Sequence, residues 1–427
     1  MRYVSTRGTA PAVPFSQAVL DGIAPDGGLY VPERMPRVDP ATLEGAPGWP
    51  ELAAEFLRPF LAGDPLAARL DELCRTAFDF PLRLVRLRQD TGLLELYHGP
   101  TAAFKDFGAR FLAGCLEALA AAEPRTVLVA TSGDTGGAVA AALHRKAGIR
   151  VGVLFPKDGV SPRQARQLTC WGDNVRSFAV RGTFDDCQRL VKQAFADPAW
   201  RGSEALTSAN SINIGRLLPQ AAYYAAAALD WRRQAGSPAA GFVVPSGNLG
   251  NVTGAFWAKR LGLPVARIAL ATNANRVVPD WFETGRWEPR ASRPTLANAM
   301  DVGDPSNMER LFALYPERAG LLADGLGRAV DDETIRRVIA AGPSRWGRVW
   351  CPHTATAVHV REQLDGGPWI VVATAHPAKF ETIVEPLIGR PVELPAPLAA
   401  LLARPTSVRE IDPELRALRH GLEEAPR

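Results

Sequence analysis

Two segments of this chain are built to one plan, and the plan restricts the fold. Thr126–Ala130 is apolar and β-branched, and is followed by Thr131–Ser132–Gly133–Asp134–Thr135–Gly136–Gly137 and a small-residue helical pattern, Ala138–Leu143. Much later, apolar Gly241–Pro245 is followed by Ser246–Gly247–Asn248–Leu249–Gly250–Asn251 and a second such pattern, Gly254–Leu261. Each reads as strand, glycine turn and helix start. A turn of this kind turns backbone N–H groups and the positive helix end toward an anion. Strand-like runs near 94–97, 126–130, 151–155, 175–180, 241–245, 266–272 and 369–374 alternate with helical patterns, which predicts a parallel α/β architecture. Residues 1–90 are Pro-rich, with amphipathic helical signals at Glu51–Leu61 and Ala67–Ala77. The predicted division is an N-terminal region, 1–90, an α/β domain, 91–215, and a second α/β domain, 216–427. A chain of 427 residues, 47% of them hydrophobic, has the material for two or three such units. Gly236–Ala240 reads as a connector, and the turn-rich Pro289–Pro294 and Asp301–Asn307 as active-site loops.

The stretch His98–Gly99–Pro100–Thr101–Ala102–Ala103–Phe104–Lys105–Asp106–Phe107–Gly108 lies between an apolar run and a long Ala/Leu-rich helical pattern. Lys105 is therefore expected in the first turns of a helix, where the dipole disfavours a cation. An amine that deprotonates readily can attack an aldehyde, so Lys105 is a candidate imine lysine for pyridoxal phosphate. The competing reading is a solvated lysine balanced by Asp106. A third motif, Asn210–Ser211–Ile212–Asn213–Ile214–Gly215–Arg216, offers amides, a hydroxyl and an arginine fork suited to phosphate oxygens. The plainer reading makes Ser211 or Asn213 the cap of a helix over 215–232. A fourth, Cys351–Pro352–His353–Thr354–Ala355–Thr356–Ala357, precedes another helical pattern, which Thr354 would cap.

Composition removes several classes of function. The net charge of +4 is small and its residues are scattered, so no basic stripe indicates nucleic acid or a membrane surface. No Gly–Lys–Ser/Thr and no Gly-x-Gly-x-x-Gly occurs in either loop, which counts against a nucleotide-binding module. The five cysteines are far apart without Cys-x-x-Cys, so neither a zinc site nor a disulfide framework is expected. No histidine cluster has metal-ligand spacing. The polar start, with no apolar core after it, predicts no signal peptide, no run reaches membrane-spanning length, and the chain is expected in the cytoplasm. No feature of the sequence reports the oligomeric state.

Taken together these motifs resemble the threonine synthases, pyridoxal-phosphate enzymes of the fold-type-II group, and most closely their microbial and fungal branch. The resemblance begins at Arg2–Arg7 and Gly22–Pro32, runs through the motifs above, and ends in Thr374–Ala375–His376–Pro377–Ala378–Lys379–Phe380. It implies parallel sheets flanked by helices, with a mainly helical N-terminal region. It makes Lys105 the cofactor lysine, with Phe104 beside it. Gly247, Asn248, Leu249, Gly250 and Asn251 become the cofactor-phosphate loop, and Thr354 the hydroxyl at the pyridine nitrogen. Asp134 takes the place near the ring hydroxyl where fold-type-II relatives often carry asparagine. Ser132, Thr135, Ser211, Asn213 and Arg216 are assigned to the substrate. The chain departs from the family at the phosphate loop, where close relatives often have Asn–Phe–Gly–Asp. The implied substrate is O-phospho-L-homoserine, which loses its γ-phosphate and gains water at the β-carbon to give L-threonine. The alternative on the same scaffold is a lyase that deaminates a hydroxy- or phospho-amino acid to a keto acid. Thr374–Phe380 has no role in this reading beyond its place after a strand.

Overall fold

The computed structural model describes residues 1–120, 124–198, 200, 205–235 and 239–423. Thirteen strands run through these residues: β1 Tyr3–Ser5, β2 Tyr30–Pro32, β3 Arg83–Arg88, β4 Thr91–Glu95, β5 Arg125–Ala130, β6 Ile149–Pro156, β7 Val175–Val180, β8 Ala205–Ser208, β9 Ala240–Pro245, β10 Val265–Thr272, β11 Gly325–Ala329, β12 Trp369–Ala373 and β13 Arg409–Ile411. They form a small antiparallel ribbon, β1–β2, and two larger sheets with orders β11-β10-β9-β12-β4-β3 and β13-β7-β6-β5-β8. All pairings in the larger sheets are parallel except β3 with β4. The reason is legible in the strands. β9 and β4 are buried along their whole length, as strands covered on both faces are. β3, with arginines at 83, 86 and 88, is partly exposed and closes one edge, where charge opposes pairing with another chain.

Sheet membership corrects the predicted division at two places. Residues 91–95, expected in the middle unit, pair with β12 and β3 in the six-stranded sheet. Residues 409–411, expected in the last unit, pair with β7 in the five-stranded sheet. A β-strand joins the sheet that has an open edge for it, and chain order does not reveal which sheet that is. The N-terminal region has no core of its own either. Phe60 stacks on Trp257 with ring centres 6.4 Å apart, and Trp49, Phe78 and Phe80 pack around Phe107. The expected connector 236–240 falls largely outside the described residues.

Six helices carry the site: α1 Lys105–Ala120, α2 Asp134–Leu143, α3 Ile214–Ala235, α4 Gly250–Arg260, α5 Met308–Leu314 and α6 Pro352–Glu362. α3 lies centrally against α1 and α4. Its approach to α1 depends on Gly108, where a Cβ would stand 2.4 Å from the Arg216 carbonyl oxygen.

Candidate active site

A cavity of about 1090 Å³ is lined by residues that follow β5, β9 and β12: Thr131, Ser132 and Asp134, Ser246–Asn251, and Thr374. Ligands of parallel α/β proteins gather at these carboxyl ends. The turn-rich segments around 290–292 and 301–306 line it as well, on the side expected for active-site loops.

Lys105 is the first residue of α1 and lines this cavity, half-buried. Burial pushes its amine down to about 8, with Arg216 and Lys379 adding to the effect and Asp134 opposing it. The segment before it is held by the stretch that had no role in the sequence reading. Phe104 N–H donates to the Thr374 carbonyl at 2.8 Å, His376 N–H donates to the Ala102 carbonyl at 3.0 Å, and Ala102 takes the left-handed conformation, φ 55°. Lys379 then reaches under the motif, donating from Nζ to the Thr101 carbonyl at 2.6 Å and pairing with Asp134 Oδ1 at 3.0 Å. Lys105 is thereby fixed from below by Thr374–Lys379.

Asp134 opens α2 and faces the same cavity. Burial alone would raise its carboxyl, but Lys379 first and Lys105 next hold it well below the usual range, so it is an anion between two lysines. Gln164 Nε2 donates to its Oδ1 at 3.1 Å. The two glycine loops are less alike than their sequences. In the first, the Thr131 hydroxyl accepts from Gly133 N–H at 3.0 Å and Gly136 N–H at 2.9 Å, so two of its amides are already used. Ser132 and Thr135 line the cavity, as does Phe104.

In the second loop Ser246 N–H donates to the Ala271 carbonyl at 2.8 Å, and the amides that follow it, 247–251, have no backbone acceptor among the described residues. Leu249 adopts φ 62°, the left-handed turn that ends the loop and starts α4. Gly247 passes so close to the 299–300 turn that a Cβ would lie 2.6 Å from Met300 Cα. Asn248 Nδ2 donates to Ser211 Oγ at 2.8 Å, and its Oδ1 accepts from Ser306 N–H at 2.7 Å. Asn251 Oδ1 accepts from both Tyr223 and Tyr224 hydroxyls, and its Nδ2 is buried with no partner among the described residues. An unpaired buried donor beside a nest of backbone N–H groups fits a bound phosphate group.

Arg216 lies at the cavity wall in the first turn of α3, enclosed against Gly108. One arm donates to the Ala209 carbonyl, while Nε is buried without a partner. Burial pushes the guanidinium down to about 10. Ser211 also faces the cavity. Asn213 does not. Its amide donates to the Val19 and Ser208 carbonyls at 2.9 and 3.0 Å, and its oxygen accepts from Gly215 N–H at 2.9 Å, which caps α3. All its capacity is spent on backbone, so the expectation that it binds substrate is corrected.

Thr354 is the second correction. It is the third residue of α6 and contacts Cys351 Sγ at 3.2 Å, and it lines a separate cavity of about 280 Å³ with Tyr97, Trp350 and His376. The cap of α6 is Cys351, whose sulfur accepts from Thr354 N–H. Thr374, directly after β12, does line the Lys105 cavity. Of the PHT motif, it is His353 that faces this cavity. Its Nε2 accepts from Ala299 N–H at 3.1 Å, which leaves the ring hydrogen on a buried, unpartnered Nδ1. Burial pushes this imidazole down to about 4, so it is neutral. Sequence reasoning missed Thr374, Lys379 and Gln164. The position of Thr374 directly after an apolar strand, like Thr131 and Ser246, was the available signal.

The donor set fits pyridoxal phosphate: an amine with a lowered pKa on the cavity wall, a loop with an orphaned carboxamide donor, and a hydroxyl at a third strand end. Comparison with known proteins agrees. Residues 81–375 match the family model for pyridoxal-phosphate dependent enzymes, residues 2–78 that for the threonine synthase N terminus, and residues 354–420 that for the threonine synthase C-terminal region. The chain is 39% identical over 411 residues to the threonine synthase of Escherichia coli, covering 95% of this chain and 96% of that one. To the Haemophilus influenzae threonine synthase it is 40% identical over 410 residues, covering 95% and 96%. The crystal structure of the E. coli enzyme superposes with a TM-score of 0.92 at 38% identity, over 98% of this chain and 99% of that one. The pyridoxal-phosphate-bound threonine synthase of Brucella melitensis gives 0.90 at 34%, over 99% and 100%. The chain belongs to the threonine synthase family of pyridoxal-phosphate-dependent enzymes.

Proposed function

We propose that this enzyme converts O-phospho-L-homoserine and water to L-threonine and phosphate in the cytoplasm, with Lys105 as the central base. The observation that carries the reading is the half-buried Lys105 amine on the cavity wall, held down to about 8 opposite Asp134 and flanked by two loops at strand ends. An amine in that range exchanges protons readily near neutral pH. Pyridoxal phosphate, when bound, supplies an aldehyde for condensation with amines and a ring that accepts the charge left by a departing α-proton.

In this reading Gly247, Asn248, Leu249, Gly250 and Asn251 hold the cofactor phosphate, and Phe104 flanks the ring. Thr374 replaces Thr354 as the hydroxyl for the pyridine nitrogen, where a neutral group leaves that nitrogen unprotonated. Asp134, kept anionic by Lys379, lies near the ring hydroxyl. Lys105, once free of the cofactor, takes the substrate α-proton and returns one at the end. Ser132, Thr135, Ser211 and Arg216 bind the substrate, with the Arg216 guanidinium directed at its phosphate. Exclusion of bulk water once substrate fills the cavity would protect its unsaturated carbon chain until one water adds at the β-carbon. Product analysis with O-phospho-L-homoserine tests the proposal. Threonine released in step with phosphate is expected; 2-ketobutyrate with ammonia as the main products would overturn it.

A further inference from the structure

Behind the phosphate-side loop sits a cation that the mechanism does not use. Arg310, in the first turn of α5, is completely buried. Its guanidinium donates to the carbonyls of Tyr30 at 3.2 Å, Ser211 at 3.0 Å and Ile212 at 2.5 Å, and to Asn307 Oδ1 at 2.5 Å. Every one of these partners is neutral. The neighbouring carboxylate, Glu309, turns outward and pairs with Arg7. Burial pushes Arg310 down to about 9, with Glu309 only partly opposing. A buried charge whose partners are all neutral is costly, and an anion bound in the neighbouring cavity would offset that cost.

The hydrogen bonds lead from Arg310 to the cavity. By accepting at Oδ1, Asn307 is oriented so that Nδ2 donates to the Asn248 carbonyl at 2.8 Å and to Ser211 Oγ at 3.1 Å. Ser211 Oγ also accepts from Asn248 Nδ2. Both lone pairs of the hydroxyl are then filled, and its remaining capacity is one O–H donor on a residue that lines the cavity. We propose that Arg310 is the buried counter-charge of a phosphate-monoester site and a positioning residue, acting through Asn307 to make Ser211 an obligate donor to the phosphate. The inference deepens the reading above, since it rests on a phosphate group lying at the Ser246–Asn251 loop. The phosphate is that of the cofactor or that of the substrate, and the two are separable by experiment.

The test uses the full-length enzyme with Arg310→Met, Arg310→Lys and Ser211→Ala. Three quantities are read: pyridoxal phosphate Kd on reconstitution, KM and kcat for O-phospho-L-homoserine, and the rise in Tm on adding inorganic phosphate. Arg310→Met is expected to weaken one phosphate ligand at least roughly tenfold, with Arg310→Lys recovering part of the loss. Ser211→Ala is expected to weaken the same ligand with the ligand-free Tm unchanged, and adding Arg310→Lys to it is expected to cost less than the two single losses multiplied, which a merely structural arginine would not cause. A raised cofactor Kd assigns the site to the cofactor phosphate; a raised KM with unchanged cofactor Kd assigns it to the substrate. Should Arg310→Met fail to fold, Arg310→Lys with and without Ser211→Ala decides: losses that simply multiply would overturn the proposal. Unchanged Kd, KM and phosphate-induced Tm rise in Ser211→Ala would overturn the proposal. Wild-type enzyme that binds no pyridoxal phosphate at the loop would instead defeat the reading it rests on.

Discussion

The chemistry of Lys105 follows from where its amine is kept. In water a lysine titrates near 10.4; here burial brings it to about 8. Capture of pyridoxal phosphate requires the neutral amine, so the reconstitution rate of the apoenzyme should rise with pH and level off past about 8. A rate that climbs without a plateau toward pH 10 would show an unperturbed lysine. Lys105→Ala should abolish turnover, and borohydride reduction of the wild-type holoenzyme should leave its label on the Lys105 peptide; a label on another lysine contradicts the assignment. The two threonines give a paired test. Thr354→Val removes one contact to Cys351 and should cost about 1 kcal/mol of stability while the holoenzyme spectrum stays as it was. Thr374→Val should alter that spectrum and cut turnover. The reverse pattern would restore Thr354 to the ring. Lys105 was legible because helix start and apolar flank are local signals. Thr374 was not, because only the pairing of 102–104 with 374–376 shows what that segment supports.

At the scale of elements, two glycines set how closely the pieces of the site approach. Gly108 lets α1 meet α3, and Gly247 lets the loop after β9 meet the 299–300 turn. Gly108→Ala forces a methyl to 2.4 Å from the Arg216 carbonyl and 3.1 Å from its Nε. Relief requires the helices to part, at about 1–3 kcal/mol, and moves Arg216. Calorimetry and KM should therefore change together, and a normal Tm would mean that α1 and α3 are free to slide. Gly247→Ala meets backbone rather than a flexible side chain, so cofactor affinity should fall more than stability does. The strand–turn–helix units themselves were visible in the sequence, down to the helix starting at Lys105. What distinguishes the loops was hidden: the Thr131 hydroxyl occupies amides of the first, whereas the second is braced from Ser211, Ser306 and Asn307. Such bracing joins residues far apart in the chain, and no local pattern encodes it.

For the molecule as a whole, the site exists because two sheets built from interleaved parts of the chain present their carboxyl ends to one cavity. β4 leads from the six-stranded sheet to Lys105, and β13 returns late in the chain to edge the five-stranded one. Alternation in the sequence revealed the parallel architecture but not this exchange, since membership of a sheet is decided by edges and shared core. Both phosphate-directed arginines, Arg216 and Arg310, are buried without an ion-pair partner among the described residues. The enzyme is thus arranged around anions it does not itself contain. In the proposed reaction this cavity keeps the substrate's carbon chain intact after phosphate leaves and admits one water to the β-carbon. Incubation of the holoenzyme with O-phospho-L-homoserine in heavy-oxygen, deuterated water, followed by mass and NMR analysis, measures this directly. The expected product is threonine equal in amount to released phosphate, with solvent oxygen in its hydroxyl and deuterium at the α- and γ-carbons. Chiefly 2-ketobutyrate and ammonia, or threonine whose hydroxyl lacks solvent oxygen, would contradict it.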